Sequence, residues 1–291
     1  MPDLAITPLE DLTALTVRGA DAATFLQGQL SQDVGQLAAR GALLAGLHNA
    51  QGRCLALLRL FHLGSDQILV VLPAEIAPDV RALLARFVLR SKVKIEDAGT
   101  AWRVYGLSGP DAEAAATTRL HLALDAEGFR QLIVAPRSEP LPQGHAASRA
   151  TWRVEDIEAG QPEVLAPTAG EFVAQMLNLD ALDAISFEKG CYTGQEIIAR
   201  AHYRGQVKRR MQLFHTDSPV MLLPGERIAL WDGRRAQVVL SEAIEEGGQE
   251  FLAVTTLPGT VPPDEAAADP QQPASPRLQA MQMPLPYPLP Q

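Results

Sequence analysis

Between Gly41 and Pro73 the chain carries three apolar runs, residues 41–48, 54–64 and 66–73, broken only by the polar turn Asn49 to Gly52 and a short Gly-Ser-Asp corner. Runs of this length, rich in Leu, Val and Ile and bounded by turn residues, are strands rather than helices. Consecutive strands joined by tight turns pair antiparallel. A meander sheet therefore organises the first third of the chain, and its flanks must supply what covers it. Residues 14–20 alternate like a further strand. Asp21 then starts a predicted helix over 21–34, with Phe25, Leu26, Leu30 and Val34 near helical spacing. Pro78 starts another over 77–90, with Val80, Leu83, Leu84, Phe87 and Val88 on one face. Strands follow at 92–98 and 101–109, then a helix from Asp111 to Leu122, a strand at 130–136 and a helix over 146–160. This order lacks the strict strand-helix alternation of a doubly wound sheet, and the fold class is α+β.

From Val207 the pattern changes. Residues 208–216, 226–233, 234–243 and 249–258 are short strand-like runs separated by Gly, Pro and Asp turns, including Asp232-Gly233, which predicts a small all-β module. The tail differs again, because 10 of the 22 prolines lie between Pro258 and Gln291. Residues 260–276 carry too little apolar surface to offset the entropy of ordering them, and read as a linker. The final MQMPLPYPLP, residues 281–290, is apolar once more, with proline at alternate positions, and predicts a polyproline strip able to dock on the body. No repeat of fixed period is present.

The 291 residues are 47% apolar, which is ample for a folded core, and the formal charge is −9. That balance excludes nonspecific coating of nucleic acid or anionic membrane, so a polyanionic partner needs a local basic patch. No apolar run approaches the length that spans a bilayer, and the N-terminal MPDLAITPLEDL lacks the pattern of a secretory signal. The two cysteines, Cys54 and Cys191, form no CxxC, so neither a zinc site nor a disulfide framework follows from spacing. A protein of the cytoplasm is expected, with no membrane partner.

Chemistry concentrates between Ser186 and Gly205. Gly190 and Gly194 bracket Cys191-Tyr192-Thr193 just before a predicted helix, so the backbone can turn tightly and approach a ligand. From Lys189 to Arg210 there are six cations, Lys189, Arg200, Arg204, Lys208, Arg209 and Arg210, against the single acid Glu196. Cys191 is either a thiol activated by Lys189 and the helix start, or a small buried apolar group. Lys189 is either part of that chemistry or a solvated charge, and the basic run 204–210 either contacts RNA or forms the rim of the β module. Residues 48–53, HNAQGR, place His48, Asn49, Gln51 and Arg53 at a hairpin tip, able to donate into a pocket or simply polar. Glu155 and Glu158 lie one helical turn apart, and a carboxylate can grip the paired N–H groups of a pterin or guanine edge. Trp102, Trp152 and Trp231 are too scattered for an aromatic platform and are expected in the core. There is no Walker A, GxGxxG, HExxH or suitably framed GxSxG, which disfavours the common nucleotide-binding and hydrolase classes.

The run KGCYTGQE, residues 189–196, resembles the signature of the YgfZ family, folate-binding proteins related to the aminomethyltransferase of glycine cleavage. The likeness extends over residues 25–34, 48–53, 86–97, 157–160, 182–205 and the closing PLPYPLP. It implies a ring of α+β domains with a small C-terminal β-barrel: residues 1–20 with 99–205 as one domain, 21–98 as a second, 206–259 as the barrel, 260–280 as a flexible linker and 281–291 as a segment able to dock. It also implies a tetrahydrofolate site and an accessory role in assembling or repairing iron–sulfur enzymes, including radical enzymes that modify tRNA. The implied partners are those client enzymes and their assembly factors; a tRNA contact through residues 200–210 is the separate reading offered by the basic run. Cys191 and Lys189 carry over as candidate functional residues, and Glu158 of IEAG as the pterin-gripping carboxylate. Trp152 is the matching candidate for folate stacking, and Gly190, Tyr192, Gly194, Gln195 and Glu196 complete the signature. A folate-dependent one-carbon transferase or demethylase, and a tRNA-binding module, are the alternative functions. Glycine-cleavage activity is disfavoured, because the acidic pair that such transferases carry after this turn is replaced here by Arg53-Cys54-Leu55-Ala56-Leu57.

Overall fold

In the computed structural model the described residues, 3–205, 207–245, 247–257 and 277–290, build three five-stranded sheets. The meander forms as its sequence demands. Ala42–His48 pairs antiparallel with Cys54–Gly64, and that strand pairs with Gln67–Pro73. Leu12–Arg18 and then Lys94–Asp97 extend the same sheet. The sheet boundary consequently falls before Leu12 rather than after residue 20. Strand Gln67–Pro73 is nearly unbroken in hydrophobicity because both faces are buried. Ile68, Val70 and Leu72 face a core covered by the helices Ala22–Gln27 and Ala77–Ala85. Leu69 and Val71 face the second sheet. Each such side chain contributes roughly 1.5–3 kcal/mol by leaving water.

The second sheet runs in the order His145–Ala146, Ala5–Pro8, Trp102–Ser108, Arg130–Pro136 and Leu120–Ala123. The helix expected from Asp111 to Leu122 is therefore shorter, Ala112–Ala116. The β-branched pair Thr117-Thr118 ends it, and Leu120–Ala123 bonds instead along Gln131–Val134. The helix expected over 21–34 likewise stops at Gln27, before Gly28, and Leu30 bridges to Leu47. The helix begun at Pro78 ends at Ala85, short of the expected 90, and Leu89 adopts a left-handed φ of 42°.

The third sheet is the predicted all-β module, and the tail completes it. Its order is Arg227–Ala229, Arg235–Ala243, Gln249–Thr256, Arg209–Thr216 and Met281–Met283. Leu278 N donates to Ala229 O at 2.8 Å, and Trp231 N donates to Leu278 O at 2.9 Å. Three residues later Met281–Met283 pairs with Leu213–His215. One segment bonds both outer strands, and so the sheet closes into a small barrel. Pairing with residues so remote in sequence is why 281–283 is a strand rather than the polyproline strip expected there. Beyond it, Leu285, Tyr287 and Leu289 are more buried than the prolines between them, so the strip lays its non-proline side chains on the body. The expected linker, 260–276, lies outside the described residues.

The meander sheet meets both of the others, and a helix joins the second sheet to the barrel. Leu12, Phe61 and Val71 share a core with Val104, Leu132 and Val134 of the second sheet. Cys54 and Leu57 share one with Met211, Leu213 and Val254 of the barrel. Helix Arg149–Glu158, capped by Ser148 Oγ accepting from Thr151 N at 3.0 Å, packs on strands of the second sheet and the barrel. Its Arg149 and Arg153 hold Asp11 at 2.8 and 3.3 Å, while Arg153 also reaches Glu242 of the barrel at 3.5 Å. Burial works against the Asp11 carboxylate, but the Arg149 bonds and both cations outweigh it and hold Asp11 below its ordinary value.

Candidate functional site

The expected loop, Lys189 to Glu196, sits where three segments interlock. Gly194 has φ +84° and caps the helix Gln195–Arg204. A Cβ there would lie 2.5 Å from Asn49 O and 3.0 Å from Gly52 Cα. The HNAQGR turn is thus the surface on which the signature loop rests. Asn49 Oδ1 shapes that turn by accepting from Gln51 N and Arg53 N, each at 3.0 Å. Gly190 differs: it is not among the left-handed glycines, and a Cβ there would meet nothing within 4 Å.

Lys189 is not a solvated surface charge. Its ammonium donates to the carbonyls of Gln27 at 2.6 Å, Leu30 at 2.6 Å and Gln32 at 3.1 Å, using all three of its protons. Burial draws its pKa down to about 8, with the Asp33 charge opposing, so the cation persists at neutral pH. The same nitrogen lies 5.1 Å from the centroid of the buried Tyr192 ring. Lys189 and Tyr192 therefore pin the loop from within, while Cys191 between them is exposed and unpaired. Cys54 is buried, and burial pushes its thiol up to about 12, so it has no chemistry to offer near neutral pH. Gln195 is half-buried, and Glu196 is exposed and pairs with Arg200 at 2.8 Å.

Two further residues lie beside the loop: Ser31, which its residue type did not single out, and His48, which belongs to the HNAQGR candidates. Ser31 Oγ donates to Ala184 O at 2.6 Å and accepts from Gly46 N at 2.8 Å, stitching the segment before the loop to the meander. His48 is 2% exposed, neither ring nitrogen has a hydrogen-bond partner among the described residues, and its ring centroid is 6.4 Å from that of Tyr192. Burial lowers its pKa to about 4, and the imidazole is neutral. His48 thus ends the strand Ala42–His48 inside the core rather than standing at the polar hairpin tip expected for it.

The other candidates scatter. Glu158, at the end of its helix, is exposed and takes no hydrogen-bond or ion-pair partner among the described residues, whereas Glu155 is bound to Arg130 at 3.3 Å. Its neighbour Ile157 shares a core with Tyr192, which ties the IEAG segment to the loop through packing. Trp152 is 2% exposed, with Arg130 stacked 4.4 Å from its ring centroid. A Cβ on Gly106 would fall 2.4 Å from the indole, so Trp152 is packed into the core as it stands and offers no open ring face to a ligand. Trp231, expected in the core, is 71% exposed at a barrel turn. The basic run loses members. Arg210 is 2% exposed, bonded to both carboxylate oxygens of Asp180 at 2.9 Å, and Lys189 is consumed as described. Arg200 and Lys208 remain exposed. Cavities of about 440 Å³, beside Phe25 and Phe87, and about 750 Å³, at the barrel mouth beside Leu222 and Leu278, include neither Glu158 nor the loop. Among the described residues no cluster suited to a metal ion is found, and no helix is long and apolar enough to cross a membrane.

No family model matches the chain. It is 33% identical over 282 residues to the tRNA-modifying protein YgfZ of Serratia proteamaculans, covering 86% of this chain and 84% of the relative. The chain belongs to the YgfZ family. A second YgfZ relative, from Cronobacter sakazakii, is 32% identical over 278 residues, with 86% and 84% covered. An uncharacterised Haemophilus influenzae protein is 36% identical over 201 residues, 69% of each chain. The fold is similar to that of the glycine cleavage aminomethyltransferase T from Bartonella henselae, with a TM-score of 0.59 at 14% identity over 87% of this chain and 78% of that one. The expected family and the α+β architecture with its small barrel are thus both present.

Proposed function

We propose that this YgfZ-family chain binds tetrahydrofolate and acts in the cytoplasm as an accessory protein in the assembly or repair of iron–sulfur enzymes, among them enzymes that modify tRNA. The observation that carries the reading is the Lys189 ammonium, fixed by three carbonyls so that Cys191 is held out to solvent on a loop whose next residue, Tyr192, is buried. A loop that served packing alone would have no use for an exposed thiol in so rigid a frame. The relatives' name, tRNA-modifying protein, and the aminomethyltransferase-like fold support the tRNA and folate parts of the reading.

For folate, Glu158 fits: its carboxylate is exposed and uncommitted, as needed to accept the paired N–H groups of a pterin edge. Trp152 does not fit, because its ring is buried in the core. Folate when bound would supply one-carbon or pterin chemistry; the chain's part is to hold it and to present Cys191. Transfer of the glycine-cleavage type is disfavoured at the turn after Gly52, where Arg53 donates to the Glu171 carbonyl and Cys54 is buried. Neither can move a proton at a folate nitrogen.

The test is complementation of a deletion strain with the wild type, Cys191→Ser or Lys189→Met, scoring iron–sulfur enzyme activities and tRNA thiomethylation together. Cys191→Ser should fold normally and fail to restore either. Full rescue by Cys191→Ser removes the thiol from the function.

A further inference from the structure

Helix Gln195–Arg204 leaves the signature loop carrying rings on its outer side. Phe187 packs on the core beneath the loop, and His202 lies over it with ring centroids 3.8 Å apart and planes at 14°. Tyr203 stands edge-on to His202 at 4.7 Å and to Phe187 at 6.2 Å, and is 67% exposed. His202 is exposed as well. The three rings form a ladder rooted in the core and ending in water. A helix that merely faced solvent would carry polar side chains here. Arg200, on the same helix, has a side chain 64% exposed that pairs with Glu196 at 2.8 Å, and Lys208, four residues beyond the helix, is exposed.

We propose that the Phe187–His202–Tyr203 ladder receives an unpaired base of an RNA loop, with Arg200 and Lys208 on the adjoining phosphates. Every base has a π-face that an aromatic ring can stack, but only an unstacked base can offer it, so the partner is a single-stranded loop rather than a duplex. Charge selects in the same sense. The chain carries −9 overall, so a polyanion is repelled by most of the surface and can settle only where cations outnumber acids. Cys191 is exposed in the loop that leads into this helix, whose last turn carries His202 and Tyr203. The inference rests on the tRNA-modification reading and narrows it to one surface and one feature of the RNA.

The experiment is fluorescence anisotropy of the full chain with an unmodified tRNA transcript, an isolated stem-loop from it, and the same stem closed as a blunt duplex. The stem-loop should bind and the duplex should fail to compete. His202→Ala and Tyr203→Ala should each weaken binding about tenfold, while Tyr203→Phe should stay within about twofold of wild type. Affinity should fall as salt rises. Both alanine variants should keep the wild-type urea midpoint, since the rings are largely in water. Equal binding by the alanine variants, equal competition by the duplex, no RNA binding at low salt, or capture of a protein by this surface in place of RNA would each overturn the proposal. Tetrahydrofolate titration of the same samples separates the two readings. Intact folate binding without RNA binding defeats this inference alone, and the reverse defeats the folate reading alone.

Discussion

The Tyr287 hydroxyl donates to the Gly160 carbonyl at 2.7 Å, joining residues 127 apart in sequence, and the same oxygen accepts from Asn178 Nδ2 at 3.3 Å. The tail thereby clamps the IEAG segment two residues from Glu158. Gly160 has φ +63°, and a Cβ there would lie 2.8 Å from the Tyr287 ring and hydroxyl. Both the turn and the close approach require glycine at this position.

Gly160→Ala should cost about 1–3 kcal/mol through backbone strain and the clash. Tyr287→Phe should cost about 1 kcal/mol, because it takes the hydroxyl donor from the Gly160 carbonyl and leaves the Asn178 amide only its bond to the Met211 carbonyl. Urea unfolding of Gly160→Ala, of Tyr287→Ala and of the two combined gives the coupling. The alanine penalty at 160 should shrink when the ring is gone. Additive effects would show that the clamp is not formed.

Gly194 and Gly190 should respond differently to substitution. Gly194→Ala meets a carbonyl at 2.5 Å and an unfavourable φ, and should lower stability by about 1–3 kcal/mol, whereas Gly190→Ala enters open space and should stay within about 0.5 kcal/mol. Denaturant midpoints of the two variants decide this. Equal losses would mean that the loop does not rest on the Asn49–Gly52 turn.

The two thiols should separate cleanly. A maleimide should modify Cys191 in the native protein within minutes, while Cys54, buried and with its thiol pushed up to about 12, should react only in denaturant. Mass spectrometry after partial labelling reads the order, and early reaction at Cys54 would contradict the packing at the base of the site.

His48 gives the acid limb of stability a defined cause. In the unfolded chain its imidazole takes a proton near pH 6.5, but in the folded protein burial delays this to about pH 4. Its contribution is therefore complete above pH 6.5 and is lost progressively as pH falls toward 4, amounting to about 3 kcal/mol. The carboxylate of Asp11, held below its ordinary value, adds a loss at still lower pH. Urea unfolding from pH 7 to pH 4 should show a steeper decline for wild type than for His48→Gln, and parallel curves would refute the neutral, buried assignment.

What was legible in the sequence was local. The meander around Asn49–Gly52, the helix begun at Pro78 and the strands after Val207 all carry their pattern within one run of residues, and the KGCYTGQE string carried the family. What was not legible depends on partners far away. Lys189 looks like a surface charge until the carbonyls of Gln27, Leu30 and Gln32 are folded onto it, and Arg210 reads as part of a basic patch until Asp180 takes it. Trp152, a stacking candidate by resemblance, is withdrawn into the core by Gly106 and Arg130 packed against it. Residues 281–283 became a strand only because the barrel offered Leu213–His215 an empty edge.

Isothermal titration of the full chain with tetrahydrofolate, wild type against Glu158→Ala, bears most directly on the central claim. The account predicts wild-type binding at about 1 μM or tighter, near −8 kcal/mol, and a loss of more than tenfold in the variant with an unchanged urea midpoint. Absence of binding by the wild type, or equal affinity in Glu158→Ala, would contradict it.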